Sequence, residues 1–126
     1  MQEYSLEFCD FIYHDNGILE VIVKEGVEIT AESAHQFLHA IEQMQPKVTA
    51  ALVNRKHPYS YTFQANLILA GSKVVEDVAV VKYTKMSWPL KGVFFPKFYH
   101  LAFFDNYEEA SEWLLAKLKK RTAASG

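Results

Sequence analysis

The sequence has little of what marks several large classes of protein. It contains a single cysteine, Cys9, among 126 residues, which excludes an intramolecular disulfide and a cysteine cluster for a metal. No apolar run approaches the roughly 18 residues that a membrane span needs. Lys and Arg number 13 against 15 Asp and Glu, which argues against a general nucleic-acid or membrane-surface binder. The first residues lack the basic and apolar regions of a secretory signal. We therefore expect a cytoplasmic protein that makes no stable membrane insertion.

Motifs that mark enzymes are also missing from the sequence. There is no Gly-x-Ser-x-Gly elbow and no glycine-rich phosphate loop. His57 and His100 are predicted near strand ends, but no nucleophile stands in a recognisable pattern with them. His35 and His39 are four residues apart, a spacing that lets two imidazoles share a metal, yet no third ligand is evident. We expect neither catalysis nor a metal or other cofactor.

What the chain does have is apolar material for a single core. Half of its residues are hydrophobic, which at this length predicts one domain of ordinary size. We place that domain at residues 1–121 and a flexible tail at residues 122–126.

The order of the predicted elements indicates the fold class. A strand over Tyr4–Tyr13 and a strand over Ile18–Lys24 flank Asn16-Gly17, a strong hairpin signal. Thr30 is predicted to cap a helix that stops before Pro46. The remaining predicted elements are a buried strand over Val48–Val53, a helix whose stripe is Phe63, Leu67 and Ala70 with Ile68 beside Leu67, a strand over Asp77–Tyr83, a short helix within Met86–Phe95, a strand over Tyr99–Phe104 and a helix capped by Asn106. This order predicts an α/β domain, with a mixed sheet of about five strands, an N-terminal antiparallel hairpin and three to four helices.

Several phrases along nearly the whole chain carry a family resemblance. They are Asp15–Val21 leading into Lys24–Thr30, then Ala51–Asn54, Phe95–Phe104 and Asn106–Leu114. In this order they resemble the STAS-like domains related to the sporulation anti-sigma-factor antagonists, in the branch of small stand-alone bacterial proteins labelled STAS/SEC14-like. The resemblance implies a STAS-like fold and a non-enzymatic interaction or small-ligand domain.

The loop after the central strand is the first candidate site. In the classical antagonists a phosphorylatable serine lies there in an Asp-Ser-Ser-Gly phrase, whereas residues 56–62 of this chain contain no acidic residue and no glycine. Ser60 and Thr62 fall at about the corresponding place, and each is a candidate phosphoacceptor or helix cap. Arg55, Lys56 and His57 are candidate contacts for an anion at the start of the helix.

The second candidate site is the aromatic segment Met86–Phe98, the richest apolar stretch outside the strands. Its candidate interface or apolar-pocket residues are Trp88, Leu90, Phe94, Phe95 and Phe98. A short helix cannot bury all of them on one stripe, so cover for a sheet edge, a dimer or partner surface, and the entrance for an apolar ligand all stay open.

The preferred function is a non-catalytic cytoplasmic interaction or regulatory domain, which binds a protein partner or a second copy of itself and no nucleic acid. The alternative is a protein that binds a small apolar or anionic, lipid-like ligand.

Overall fold

A mixed β-sheet with helices on both faces forms the centre of the protein. The computed structural model describes residues 1–72, 74–83 and 100–125. Within them the strands are β1 (Gln2–Ser5), β2 (Cys9–Tyr13), β3 (Ile18–Val23), β4 (Glu28–Ile29), β5 (Ala50–Arg55), β6 (Ser60–Tyr61), β7 (Asp77–Lys82) and β8 (His100–Phe104). The helices are α1 (Ala31–Glu42), α2 (Phe63–Gly71) and α3 (Tyr107–Ser125).

The main sheet has six strands in the order β1-β2-β3-β5-β7-β8. Its first three strands pair antiparallel, and β3, β5, β7 and β8 then pair parallel. Strands β4 and β6 form a separate parallel pair. The predicted α/β class, with a mixed sheet and an antiparallel N-terminal edge, is confirmed, and the main sheet has one strand more than the five or so expected.

The extra strand comes from the N-terminal segment. The sequence pattern predicted one strand over Tyr4–Tyr13, which is wrong, because the chain turns between β1 and β2 and pairs with itself. The backbone N–H of Leu6 donates to the carbonyl of Cys9 at 2.8 Å and closes this turn. An alternation of apolar residues carries no mark of where a strand folds back, so two strands read as one.

The core lies on both faces of the main sheet. On one face Phe11, Leu19 and Val21 are buried beneath α1 and α2, and Phe11 packs against Phe37 of α1 with ring centroids 5.4 Å apart. On the other face the buried set is Ile18, Ala50, Leu52, Ala79 and Val81 from the strands with Ala110 and Leu114 from α3. Successive strand residues alternate between the two faces, so each strand serves both cores.

Helix α2 divides the residues of its predicted apolar stripe between the core and solvent. Ala65 is fully buried, while Phe63 and Leu67 are 64% and 52% exposed. Ile68 and Leu69, on the inward side, pack against the core. Phe63 and Leu67 of the predicted stripe therefore face outward, and Ile68 faces the core.

Helix α3 begins as the sequence predicts, since the side chain of Asn106 accepts a hydrogen bond from the backbone N–H of Glu109 at 2.8 Å. It continues to Ser125, so residues 122–125, assigned to a flexible tail, are helical. The four parallel strands of the main sheet end on the edge where α3 starts, and the polar side chains described next lie at or near that edge.

Candidate functional site

The two hydroxyls proposed as phosphoacceptors have different roles in the structure. The Thr62 hydroxyl caps α2, because it accepts a hydrogen bond from the backbone N–H of Ala65 at 3.1 Å. Ser60 lies in β6, where its backbone N–H donates to the carbonyl of Val27 at 3.0 Å and its side chain is exposed. Thr62 is thus the cap, and Ser60 presents its hydroxyl to solvent.

The three basic residues of the loop also differ. Arg55 is tied into the loop, since its Nη2 donates to the carbonyl of Tyr59 at 3.0 Å and its guanidinium carbon lies 4.4 Å from the centroid of the Tyr59 ring. Lys56 is exposed and His57 is half-buried. Arg55 therefore holds the loop in shape, and Lys56 is the cation that the loop offers to the outside.

A buried tyrosine pair lies beneath this loop. The hydroxyls of Tyr59 and Tyr61 are 2.8 Å apart, and their rings meet edge to face at 5.3 Å. Burial, and secondarily the neighbouring Tyr61, raises the pKa of Tyr59 well above its usual range. Burial also raises the pKa of the Cys9 thiol to about 12, with Asp10 adding to the rise. A thiol held protonated in this way is a packing residue rather than a nucleophile.

The outward side of α2 forms what we call the α2 surface, consisting of Phe63 and Leu67. The two residues are four apart and share one face of the helix. No residue between Phe63 and Gly71 carries a charge. The loop with Ser60 leads directly into this helix, so an exposed hydroxyl precedes an exposed apolar face.

The other residues considered in the sequence analysis do not form part of the loop or of the α2 surface. Trp88, Leu90, Phe94, Phe95 and Phe98 lie outside the described residues. His35 and His39 are exposed on α1, and no group of three potential metal ligands occurs among the residues that the structure describes. None of the helices described is both long and apolar enough to cross a membrane.

An open cleft of about 460 Å³ lies at the far end of α1 from its Thr30 cap. It is lined by Ile41, Glu42, Met44, Gln45, Lys47, Val48 and Val74. Its volume is within the range of small-molecule sites, although the cleft is open to solvent rather than enclosed.

Sequence reasoning missed a polar cluster on the α3 face of the sheet, which we call the Glu20 cluster. Glu20 of β3 is 7% exposed and accepts three hydrogen bonds. Asn54 of β5 donates through Nδ2 to Oε2 at 2.8 Å, and the Tyr107 hydroxyl at the start of α3 donates to Oε1 at 3.1 Å. His14 Nε2 lies 2.8 Å from the same Oε1. A glutamate in the middle of an apolar strand was the one signal that could have pointed to it.

These partners decide the charge state of the cluster. Burial on its own raises the pKa of the Glu20 carboxyl, but hydrogen bonds from Asn54, His14 and Tyr107 outweigh it and hold the pKa below its usual value. For Tyr107, burial first and the adjacent carboxylate second raise the pKa to about 12. At neutral pH the cluster therefore holds a carboxylate beside an intact phenol.

Comparisons with known proteins address the fold. No protein-family model matches the sequence, and no curated protein matches it significantly. A crystal structure of an uncharacterised protein of the DUF3478 family from Shewanella loihica PV-4, which has a SpoIIAA-like fold, is similar with a TM-score of 0.56 over 84% of this chain and 91% of that chain. This chain has a SpoIIAA-like fold. The two sequences are 18% identical, so the likeness concerns the fold alone, and it confirms the STAS-like architecture.

Proposed function

We propose that this SpoIIAA-like chain is a non-catalytic interaction domain of the cytoplasm, whose protein partner docks on the α2 surface. The observation that carries the proposal is the exposure of Phe63 and Leu67, at 64% and 52%, on a helix without charged residues. The outward face of a helix on a soluble domain is ordinarily charged or polar. An apolar outward face is typical of the centre of a protein interface, which is depleted in charge.

The energy available at this surface suits a regulatory contact. Burying one large apolar side chain contributes about 1.5–3 kcal/mol. Phe63 and Leu67 together would supply an anchor of a few kcal/mol, before the cost of association is subtracted. A contact energy of this size is consistent with a transient interaction.

Ser60 is the candidate control point of this contact. Its hydroxyl is exposed and lies three residues before Phe63, while the Thr62 hydroxyl is occupied as the helix cap. A phosphoryl group on Ser60 would add close to two negative charges beside an apolar docking face and raise the cost of burying it. We therefore expect phosphorylation at Ser60, and not at Thr62, to weaken partner binding.

Site-specific photocrosslinking in the producing cells tests the docking proposal. A photoreactive phenylalanine analogue replaces Leu67 in one variant and Leu115 in a matched control. Leu115 is 38% exposed on α3, which covers the other face of the sheet. The α2 variant should yield a discrete crosslinked protein, which Ser60→Glu weakens and Ser60→Ala retains.

Equal crosslinking from positions 67 and 115, or none from position 67, would count against the α2 surface. A crosslinked species of twice the chain mass would identify the partner as a second copy of this chain. A different mass would identify a separate protein.

A second candidate function, the binding of a small apolar or anionic ligand, is supported by the cleft at the end of α1. Ile41, Met44, Val48 and Val74 provide its apolar lining, and Lys47 provides a cation. A native mass spectrum of freshly purified protein tests this function. An added mass that Met44→Trp removes supports a ligand in the cleft, and the bare chain mass alone argues against it.

A further inference from the structure

The outward side of α3 carries a row of exposed residues that we call the α3 stripe. Ala110 and Leu114, on the inward side of the helix, are fully buried against the sheet. Along the helix the stripe consists of Glu108, Glu109, Glu112, Leu115, Ala116, Lys119 and Lys120. Its first part is acidic, its centre is apolar and its last part is basic.

The charges of the α3 stripe have no partners of opposite sign within the helix. Ion pairs on a helix surface join residues that are three or four positions apart. At those distances toward the carboxy terminus, Glu112 meets only Leu115 and Ala116, and the same two residues precede Lys119. Glu112 and Lys119 are separated by about 10 Å along the axis, which is beyond the ordinary reach of such a pair.

The rest of the described chain does not pair these charges either. Within residues 1–72, 74–83 and 100–125, the ion pairs are those of the Met1 ammonium with Asp15 and of His14 with Glu20. The α3 stripe therefore presents unpaired charges to solvent, sorted by sign along its length.

The helix macrodipole accounts for only part of this order. It favours acids in the first turn of a helix and bases in the last turn, and its effect fades beyond them. Glu112 lies past the first turn, and the last turn holds no basic residue because α3 continues to Ser125. The dipole thus does not explain the positions of Glu112, Lys119 and Lys120.

We propose that the α3 stripe binds the α3 stripe of a second copy of this chain, with the two helices antiparallel about a two-fold axis between Leu115 and Ala116. Glu112 and Lys119 lie about 5 Å on either side of this midpoint, so Glu112 of each copy faces Lys119 of the other. The apolar residues at the midpoint meet their counterparts at the centre of the contact.

A second ion pair follows from the same axis. Glu109 of one copy lies about 3 Å along the axis from Lys120 of the other, within reach of two long side chains. The two-fold axis repeats both pairs, as it does every contact in a symmetric dimer. Antiparallel helices also set their dipoles in the favourable direction.

The order of the charges excludes other arrangements and other partners. Parallel helices would set glutamates against glutamates and lysines against lysines. A nucleic acid or an anionic membrane would be attracted by the lysines and repelled by the glutamates of the same stripe. A second copy has the required acidic, apolar and basic order by identity.

The expected dimer is weak and sensitive to salt. Exposed ion pairs are individually weak and are screened by salt, and the apolar centre is small. We expect a dissociation constant on the order of 100 μM at low ionic strength, and a several-fold increase at high ionic strength. Because α2 and α3 cover opposite faces of the sheet, the dimer leaves both α2 surfaces exposed.

Sedimentation equilibrium of the full chain, from about 10 μM to 1 mM, brackets this constant. A basic variant, Glu109→Lys/Glu112→Lys, and an acidic variant, Lys119→Glu/Lys120→Glu, should each dimerise at least tenfold more weakly than the parent, because like charges then face each other. An equimolar mixture of the two variants should restore the dimer, because every pair regains opposite charges.

Glu25→Lys/Glu28→Lys is the matched control for the basic variant. It changes two exposed acids outside α3 and alters the net charge by the same amount. This variant should dimerise like the parent.

A parent that stays monomeric at the highest concentration, or variants that do not associate when mixed, would overturn the proposal. Association that both charge reversals leave intact would overturn it as well. If Phe63→Ser/Leu67→Ser then removed that association, the dimer would belong to the α2 surface. A photocrosslink from position 115 through α3 would join two copies and would not respond to Ser60→Glu, which separates it from the one expected at position 67.

Discussion

Asn54 and Arg55 are adjacent in β5, but they belong to two regions that differ in burial, the Glu20 cluster and the loop before α2. Asn54 points to the α3 face and enters the Glu20 cluster, while Arg55 reaches the other face and braces the loop that precedes α2. The cluster is buried and its members bind one another. The loop and α2 carry exposed groups, among them Ser60, Phe63 and Leu67.

The difference in burial between the Glu20 cluster and the α2 surface implies different roles, stability for the cluster and recognition for the surface. A buried carboxylate with three partners adds to the free energy of unfolding, and every change to it leaves a desolvated group without a partner. An apolar face that is more than half exposed contributes less to folding than a buried one, because most of its area stays in water in the folded chain. We assign the internal network to stability, and we propose the α2 surface as the docking site of a protein partner.

The largest effect should follow from Glu20→Ala. The substitution leaves the donors of Asn54 and Tyr107 without their acceptor inside the protein, and we expect the free energy of unfolding to fall by about 3–5 kcal/mol. Urea denaturation followed by circular dichroism measures it. Glu28→Ala, at an exposed position of β4, is the matched control and should change it by less than about 0.5 kcal/mol. Equal effects of the two substitutions would refute a structural role for the cluster.

The decline in the free energy of unfolding at acidic pH should depend on the Glu20 carboxylate. Because folding lowers the pKa of Glu20 below 4.5, its contribution is present above that pH and is lost as the pH falls through the folded-state value. Denaturation at a series of pH values from 7 downward should show a shallower decline in Glu20→Gln, which carries no titrating group there. Parallel declines in parent and variant would mean that Glu20 does not titrate with folding.

Thr62→Ala should have a smaller effect. Loss of the cap leaves the backbone N–H of Ala65 without its acceptor, which costs about 1 kcal/mol of the free energy of unfolding. Thr62→Ser retains the hydroxyl and should restore most of that loss. If both variants match the parent, the hydroxyl does not cap α2 in solution.

Ser60→Ala should have the smallest effect of the series. Its exposed side chain is not the cap of α2, so stability should change by less than about 0.5 kcal/mol. A loss as large as that of Thr62→Ala would remove the distinction between the two hydroxyls.

Much of the fold could be predicted from local sequence. The Asn16-Gly17 turn, the Thr30 cap and the apolar run before Asn54 each depend on neighbouring residues, and the structure has all three elements. The division of the N-terminal segment into β1 and β2 left no such local mark. The exposure of Phe63 and Leu67 was hidden as well, because apolar residues have the same helical spacing whether they face the core or a partner.

The candidate site was harder to predict because its members are far apart in the sequence. Glu20 and Asn54 are 34 residues apart, and Glu20 and Tyr107 are 87 apart. Only the parallel pairing of β3 with β5, and the placement of α3 over both, brings them together. The loop with Ser60 and Thr62 was found from sequence because it is continuous, but the chain alone did not show which hydroxyl was the cap.

The most direct test of the separation between stability and recognition is the free energy of unfolding of the double variant Phe63→Ser/Leu67→Ser, measured beside the parent. Both side chains are more than half exposed, so the account predicts a change within about 1 kcal/mol, even though the variant should lose its partner. A fall as large as that expected for Glu20→Ala would show that these residues belong to the core and would contradict the α2 surface as a docking site.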